Sequence, residues 1–247
     1  MANIALAVVE AALRARKLDR TIAFGRGEAC LASTDACPAP TDIPGLDTVL
    51  CGGVPRGQLS EIVGPRSSGR TTLLLQSLAA ATARGEVAAL VDTFDCLDVN
   101  SVAAAGVDLD RLLWIRGHAM SGPQASGLGL QDRIIERALK ALNLVLQAGG
   151  FGLVAIDLAD APLAALRRLP FATWLRIQRT IEGSETACVI TAPQPLARSA
   201  GGVTLLLAGQ AHWHPEASFL AGLDVTSRVI APRRWTDAEV AIGAQVR

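Results

Sequence analysis

The amino-acid sequence predicts an α/β protein of three layers, with a mostly parallel central sheet between helices. From about residue 42 onwards, short apolar runs alternate with helical stretches, a pattern typical of parallel sheets. The run LVAID is apolar throughout and ends in an acid, which indicates a central strand buried on both faces. The last apolar runs follow one another without a helix, so we expect antiparallel strands near the C-terminus.

Composition narrows the class of protein. The chain of 247 residues can form one large domain, and with 50% hydrophobic and 19% charged residues it is expected to be globular and not disordered. Its 23 basic residues balance its 23 acidic ones, so global charge argues neither for nor against nucleic acid. No apolar run approaches the roughly 18–20 residues that cross a bilayer, and we expect a cytoplasmic protein without a membrane partner. The five cysteines include no CxxC pair and are expected to be reduced structural thiols.

The first 41 residues are expected to form an arm ahead of the core. Residues 4–17 have the i, i+3, i+4 spacing of an amphipathic helix, TIAF follows as a short strand, and a linker rich in Gly, Pro and small polar residues comes next. The apolar face of this helix must be buried, either on its own domain or on another copy of the chain. The predicted division is therefore an arm at 1–41, for oligomerisation or docking, and a core at 42–247.

The first half of the core is predicted as a regular series of elements. A short helix and a glycine turn (IPGLDTVLCGG) precede a strand at 59–63, a helix at about 69–83 and a buried strand at 87–92. A helical stretch to Ala105, a turn at Gly106 and the short strand LLWIRG complete this half.

The second half begins with a glycine-rich loop at 118–129 and a long helix at 131–147. The strand LVAID, one helix that carries several arginines and the strand TACVIT follow. Two strands, VTLLLA to AHWH and LDVTSRVI, are expected to pair antiparallel. We find no internal repeat and no low-complexity tract.

The stretch GPRSSGRT at 64–71 is close to a phosphate-binding loop. In the pattern Gly-x-x-x-x-Gly-Lys-[Ser/Thr], glycines let backbone N–H groups surround phosphates, the lysine reaches them and the hydroxyl holds Mg²⁺. Gly64, Gly69 and Thr71 fit, and the expected strand–loop–helix context agrees. Arg70 stands in place of the lysine. The predicted nucleotide-binding remnant in this loop is Gly64, Ser67, Ser68, Gly69, Arg70, Thr71 and Thr72.

Asp157 ends the strand LVAID and is the natural second part of such a site, since its carboxylate can orient Mg²⁺ opposite Thr71. Arginine keeps the charge of lysine but not its shape, so we expect weaker phosphate binding. Only Lys17 and Lys140 are lysines, a bias that looks like GC-rich coding and offers mutational drift as another origin of Arg70. ATP with Mg²⁺ is therefore a doubtful cofactor, and none is obligatory.

Over residues 42–160, the sequence resembles the RecA recombinase core. The resemblance rests on the GPxSSG loop, the strand that ends in aspartate and the GVDLDRLL turn. It implies that the water-activating glutamate lies two residues after Asp92, where this chain has Phe94. Asp95 is the nearby candidate substitute, and Asp98 is a weaker match to the contact with the nucleotide base.

Other departures make the chain similar to ImuA, the RecA-related member of the ImuA–ImuB translesion-mutagenesis cassette. The region after TACVIT has no aromatic residue, and we expect no counterpart of the C-terminal domain of RecA. The resemblance implies a role in DNA damage, the SOS response and translesion repair, with RecA, an ImuB-like protein or the chain itself as partner. It also favours docking of the arm on another copy or on RecA, which could limit RecA filaments.

Two basic clusters could contact DNA or a partner, although charged residues on a helix are more often simply solvated. Trp174 or Phe171 could stack on bases. His212 and His214 lack a third ligand, so no metal site is expected. The candidate contact residues are Arg167, Arg168, Arg176, Arg179, Arg198, Arg228, Arg233 and Arg234.

The sequence favours a non-catalytic or weakly catalytic accessory protein. The alternative is an active ATP-dependent recombinase or DNA-stimulated ATPase, with Arg70 replacing the lysine and Asp95 the lost glutamate. A P-loop kinase that acts on small molecules is a third option, but no acceptor motif supports it.

Overall fold

The computed structural model describes residues 37–117, 128–197, 202–213, 220–231 and 239–245. Residues 1–36, which include most of the predicted arm, lie outside them, as do Arg198, Arg233, Arg234 and His214. The end of the predicted linker is attached to the core, because Ala39 and Val54 exchange backbone hydrogen bonds of 2.8 and 2.7 Å.

The described strands form one mixed sheet of the predicted kind. Its strand order is β3-β2-β4-β5-β1-β6-β7-β8. The pairs from β3 through β6 are parallel, and the pairs β6–β7 and β7–β8 are antiparallel. The strands are β1 (Leu59–Val63), β2 (Ala88–Asp92), β3 (Leu112–Arg116), β4 (Leu153–Asp157), β5 (Ala187–Ala192), β6 (Thr204–Trp213), β7 (Leu220–Ala231) and β8 (Glu239–Gln245).

Helices cover both faces of the parallel part, which gives three layers. Along β4, Val154 and Ile156 pack with α4, α5 and α6 on one face, whereas Leu153 and Ala155 pack with α1, α2 and α3 on the other. This alternation explains why the strand is apolar throughout. The helices are α1 (Pro44–Val49), α2 (Arg70–Ala83), α3 (Val99–Ala104), α4 (Leu128–Ala148), α5 (Leu163–Arg168) and α6 (Phe171–Ile181), with a 3₁₀ turn at Leu109–Arg111.

Two features differ from the sequence prediction. The single arginine-bearing helix is two helices, α5 and α6, which are separated at Leu169 and Pro170. Proline disfavours helical geometry in the residue before it, and Leu169 has extended backbone angles (φ −65°, ψ 126°). The strand β8 was not predicted; it pairs with β7 at Gly222–Arg228.

Arg56 connects several segments of the core through hydrogen bonds. Its buried guanidinium donates to the carbonyl oxygens of Cys37 (2.9 Å), Gly152 (3.0 Å) and Glu185 (2.7 Å), and to Glu86 Oε1 (2.6 Å). One side chain therefore joins the end of the linker to the starts of β4 and β5.

None of the helices in the described ranges is both long enough and apolar enough to cross a bilayer.

Candidate nucleotide site

The loop between β1 and α2 connects a strand to a helix, as the sequence predicts, and residues of β6 and β7 pack against two of its glycines. Gly69 has φ +88°, and a Cβ there would lie 2.6 Å from Val225 Cγ2 of β7. A Cβ at Gly64 would lie 2.5 Å from the carbonyl oxygen of Leu207 of β6. Close packing therefore requires glycine at both positions.

Arg70 is the first residue of α2 and is only 6% exposed. Its Nη1 lies 3.4 Å from the carbonyl oxygen of Ala159, just beyond the end of β4. Burial lowers the pKa of Arg70, and the negative charges of Asp157 and Asp160 oppose that effect. The cation that replaces lysine is thus held by groups of its own chain.

A second arginine of the loop contacts the same segment. Arg66 Nη2 lies 2.9 Å from Asp160 Oδ1, in an ion pair exposed to solvent. The turn at 159–160 is therefore contacted by Arg66 and by Arg70. An anion in the loop would compete with this turn for the same two guanidinium groups.

Asp157 is largely enclosed at the end of β4. Its Oδ1 accepts hydrogen bonds from Thr191 Oγ1 (2.5 Å) and from the backbone N–H of Ala159 (2.8 Å). Burial is the main cause that raises the pKa of Asp157, and these hydrogen bonds act in the opposite direction. Asp157 lines the same cleft as Thr71, as its predicted role requires.

Asp92, the register partner of Asp157 on β2, has a structural role. It accepts hydrogen bonds from the backbone N–H groups of Cys96 (3.0 Å) and Leu97 (2.9 Å) and from Trp114 Nε1 (3.2 Å). Its carboxylate therefore shapes the turn that follows β2 and determines where Phe94 and Asp95 lie.

Phe94, which the resemblance to RecA predicts to replace the glutamate, is 5% exposed and belongs to the core cluster that also contains Ile134 and Leu158. Asp95 has φ +55° and makes a two-pronged ion pair with Arg116 (2.8 and 2.9 Å). This hydrogen-bonded partner lowers the pKa of Asp95. Arg116 in turn stacks on Trp114, 4.7 Å from the ring centre. Both carboxylate oxygens of Asp95 are bonded to Arg116, and Asp95 does not line the cleft.

Asp98 lines the cleft but also caps α3. Its Oδ2 accepts from Ser101 N (2.8 Å) and from Ser101 Oγ (2.6 Å), and these bonds lower its pKa. This is the usual arrangement of an N-cap aspartate, so the position has a structural explanation apart from any nucleotide.

The cleft in front of the loop has a volume of about 340 Å³, near the lower end of small-molecule sites. Its lining brings together Ser67, Arg70, Thr71, Asp98 and Asp157 from the sequence prediction. Thr72 is exposed next to them, whereas the hydroxyl of Ser68 is buried without a hydrogen-bond partner. The sequence prediction omitted several residues that line the cleft, among them Arg66, Cys96 and Asp160. Asp160 could have been predicted as part of the site, because it follows Asp157 by only three positions.

The residues of this cleft fit a phosphate better than they fit a hydrolytic centre. The glycines, Thr71 and Asp157 are those that would hold a Mg²⁺-bound phosphate, and the metal would supply charge neutralisation. No side chain in the described lining occupies the position of the water-activating glutamate. Within the described ranges we find no group of three His, Cys, Asp or Glu side chains that could hold a metal ion.

A buried glutamate of β1 holds the segment that follows β5. Glu61, fully buried in β1, accepts from the backbone N–H groups of Leu196 (2.7 Å) and Ala197 (2.9 Å) and from Thr204 Oγ1 (3.1 Å). The described residues that follow β5 are therefore fixed to β1, the strand that leads into the loop at 64–71.

The basic candidates that fall within the described ranges do not line the cleft. Arg167 and Arg168 are on α5, Arg176 and Arg179 are on α6, and all four are exposed. Arg228 is exposed on β7, opposite Glu239 of β8. Trp174 is buried in the core, so the stacking role considered for it is wrong, whereas Phe171 is 48% exposed.

Comparison with known proteins agrees with this geometry. The model of the RecA N-terminal domain matches residues 24–163. Two curated relatives illustrate the match. Protein RecA of Clavibacter michiganensis subsp. michiganensis is 37% identical over 139 residues, which are 54% of this chain and 34% of the relative. Protein RecA of Methylococcus capsulatus is 38% identical over 140 residues, which are 54% of this chain and 36% of the relative. Protein RecA of Frankia casuarinae is 34% identical over 154 residues (58% and 40%). The chain thus spans about a third of the length of these relatives.

The matched region contains the phosphate loop, both strand-ending aspartates and the turn after β4, and it covers more than half of the chain. The protein therefore belongs to the RecA family.

Proposed function

We propose that this chain is a RecA-like accessory protein of DNA-damage tolerance that does not depend on ATP hydrolysis. The observation that carries the proposal is the burial of Phe94 at the position expected to hold the water-activating acid. A carboxylate there is needed to orient the attacking water. Phe94 instead packs against the core and offers no group to a nucleotide.

The rest of the site supports the same proposal. The nearest candidate substitute, Asp95, is paired with Arg116, and Arg70 interacts with the turn after β4. A guanidinium is bulkier than an ammonium group and suits two-pronged contacts, so phosphate binding is expected to be weak. In this proposal, the loop at 64–71 keeps the residue pattern of a phosphate-binding loop but binds nucleotide poorly.

The proposed action is binding to RecA, to an ImuB-like translesion partner, to DNA or to a second copy. The proposed surface for binding a strand of the partner is β3, which forms one edge of the described sheet. Beside it lies a cavity of about 270 Å³ whose lining includes Val91, Ile115, Ile134 and Arg137. A strand edge that no described residue pairs with, beside a cavity with several apolar lining residues, suits an incoming strand with an apolar side chain. The predicted arm, residues 1–41, is the proposed counterpart on another copy.

Phosphate release by the purified protein with Mg²⁺-ATP, with and without single-stranded DNA, tests the proposal. We expect no DNA-stimulated turnover. Titration of a fluorescent ATP analogue in the same sample separates failure to bind from failure to hydrolyse. Turnover stimulated by DNA would overturn the accessory role. Deletion of residues 1–25 tests the arm, because it should abolish self-association and any effect on RecA filaments.

The rival function is a DNA-stimulated ATPase. Two observations favour it: the glycine geometry of the loop is intact, and Thr71 and Asp157 both line the cleft. It would require Asp95 to leave Arg116 and turn towards a nucleotide. Arg116→Ala would then raise turnover, whereas the accessory role predicts no turnover in either protein.

A further inference from the structure

The outer surface of α5 and α6 combines exposed apolar and basic side chains. On α6, Phe171 and Leu175 are 48% and 45% exposed and are followed by exposed Arg176 and Arg179. Residues 171, 175 and 179 are spaced by four, so they share one side of the helix. On α5, exposed Leu163 precedes exposed Arg167 by the same spacing. We refer to Leu163, Arg167, Phe171, Leu175, Arg176 and Arg179 as the basic–apolar face.

The arginines of this face have no partner within the described chain. The guanidinium groups of Arg167, Arg176 and Arg179 make no hydrogen bond or ion pair with any described residue. By contrast, neighbouring Arg168 is bonded to Asp132 at 2.7 Å. Three arginines and three large apolar side chains are therefore exposed on these two helices, and the three arginines form no ion pair with the described residues. Apolar surface that is rimmed by charged side chains is a mark of interaction sites.

Side-chain chemistry favours a protein segment over nucleic acid as the ligand. Single-stranded nucleic acid is held by several aromatic platforms as well as by cations. Trp174 of α6 is only 3% exposed, so Phe171 is the one exposed ring among the described residues of this face. Two of the three exposed apolar side chains are leucines, which do not stack on bases. A phosphate backbone would engage the arginines and leave Leu163 and Leu175 in water. A segment with carboxylates and apolar side chains would satisfy both.

We propose that the basic–apolar face binds an acidic amphipathic segment of a protein partner. The side of α6 from residue 171 to residue 179 is about 12 Å long, or about two helical turns. A partner helix with apolar residues at i and i+4 can cover Phe171 and Leu175 while its acidic residues reach Arg176 and Arg179. Arg167 and Leu163 extend the surface onto α5. The inference needs a protein partner, as the accessory role does, but it does not depend on the state of the phosphate loop.

The test uses the full chain and a fluorescein-labelled helical peptide of about 20 residues, with Leu at the apolar heptad positions and Glu elsewhere. We expect binding that weakens as salt rises. Arg176→Glu with Arg179→Glu should weaken it about tenfold or more, and so should Phe171→Ala with Leu175→Ala. The matched control is Arg133→Glu with Lys140→Glu on exposed positions of α4, which should leave binding unchanged. Thermal unfolding by circular dichroism verifies that each variant is folded.

Two comparison probes make the result decisive. A peptide with Lys in place of Glu should not bind, and single-stranded oligothymidylate should bind equally to the wild type and to the Arg176→Glu, Arg179→Glu variant. Failure of the acidic peptide to bind, or equal loss in the α4 control, overturns the proposal. It is also overturned if oligothymidylate binding depends on Arg176 and Arg179 but not on Leu175, which would identify a nucleic-acid surface. Phosphate release is measured separately, so failure here is distinct from failure of the proposed function.

Discussion

Asp92 and Asp157 are register partners at the carboxyl ends of β2 and β4, yet their carboxylates are used differently. Asp92 is bonded through both oxygens to the turn that follows its own strand. Both hydrogen bonds to Asp157 end on Oδ1, and Arg70 lies close enough to respond to its charge. Of this pair, Asp157 is therefore the residue suited to a bound cation or nucleotide.

The raised pKa of Asp157 predicts how stability depends on pH. Because the folded state binds this proton more tightly than the unfolded chain, the side chain stabilises the fold most fully below its unfolded pKa, about 4. That stability is lost as pH rises through the folded pKa. Asp157→Asn keeps an oxygen that can accept from Thr191 and cannot ionise, so its stability relative to wild type should increase from about pH 4 to pH 7. Urea unfolding at a series of pH values measures this.

Asp160→Asn is the control for that experiment, since it removes a neighbouring exposed carboxylate. It should not reproduce the increase. Parallel pH profiles for wild type and Asp157→Asn would contradict the prediction.

Arg70→Lys should strengthen nucleotide binding. A compact ammonium fits the cradle and loses the contact with the carbonyl oxygen of Ala159, so we expect the affinity for a fluorescent ATP analogue to rise about tenfold. Phosphate release should stay absent, because Phe94 is unchanged. Arg66→Lys, which keeps the charge outside the lysine position, is the matched control. Equal affinities for wild type and Arg70→Lys would show that the guanidinium does not limit binding.

Restoring the acid at position 94 should destabilise the protein and not activate it. Phe94 is buried, so Phe94→Glu loses core packing and also buries a carboxylate. We expect the free energy of unfolding to fall by about 3–5 kcal/mol or more. Chemical denaturation measures the loss, and Phe94→Leu should cost much less. Gain of ATP turnover by a stable Phe94→Glu protein would refute this account of the site.

Arg56→Met should strongly destabilise the fold. The change leaves Glu86 and three carbonyl oxygens without the buried cation that they share, at a cost of about 3–5 kcal/mol. Arg84→Met is the comparison, because Arg84 also pairs with Glu86 but is more exposed; it should cost about 1 kcal/mol or less. Urea midpoints of the two variants test the difference, and similar midpoints would count against the buried role of Arg56.

Much of the fold was accessible from local patterns. The bounds of β1, the position of α2 and the strand that ends at Asp157 follow from apolar periodicity and from the glycines of the loop. The separation of α5 from α6 was missed although Pro170 marks it, because the arginines suggested one continuous helix. The strand β8 was missed because it depends on β7 for its pairing.

The sequence by itself determined the class of fold and the near match to a phosphate-binding loop with arginine in place of lysine, since each of these is a local pattern of residue types. The replacement of the glutamate is what the resemblance to RecA implies. Only the tertiary structure decided which groups the arginines of the loop and Asp95 contact. Arg66 meets Asp160 across 94 positions of sequence, Arg70 meets Ala159 across 89, and Asp95 turns to Arg116 on the neighbouring strand. Such contacts depend on the order of strands in the sheet, which brings distant segments to one edge and which no local pattern encodes.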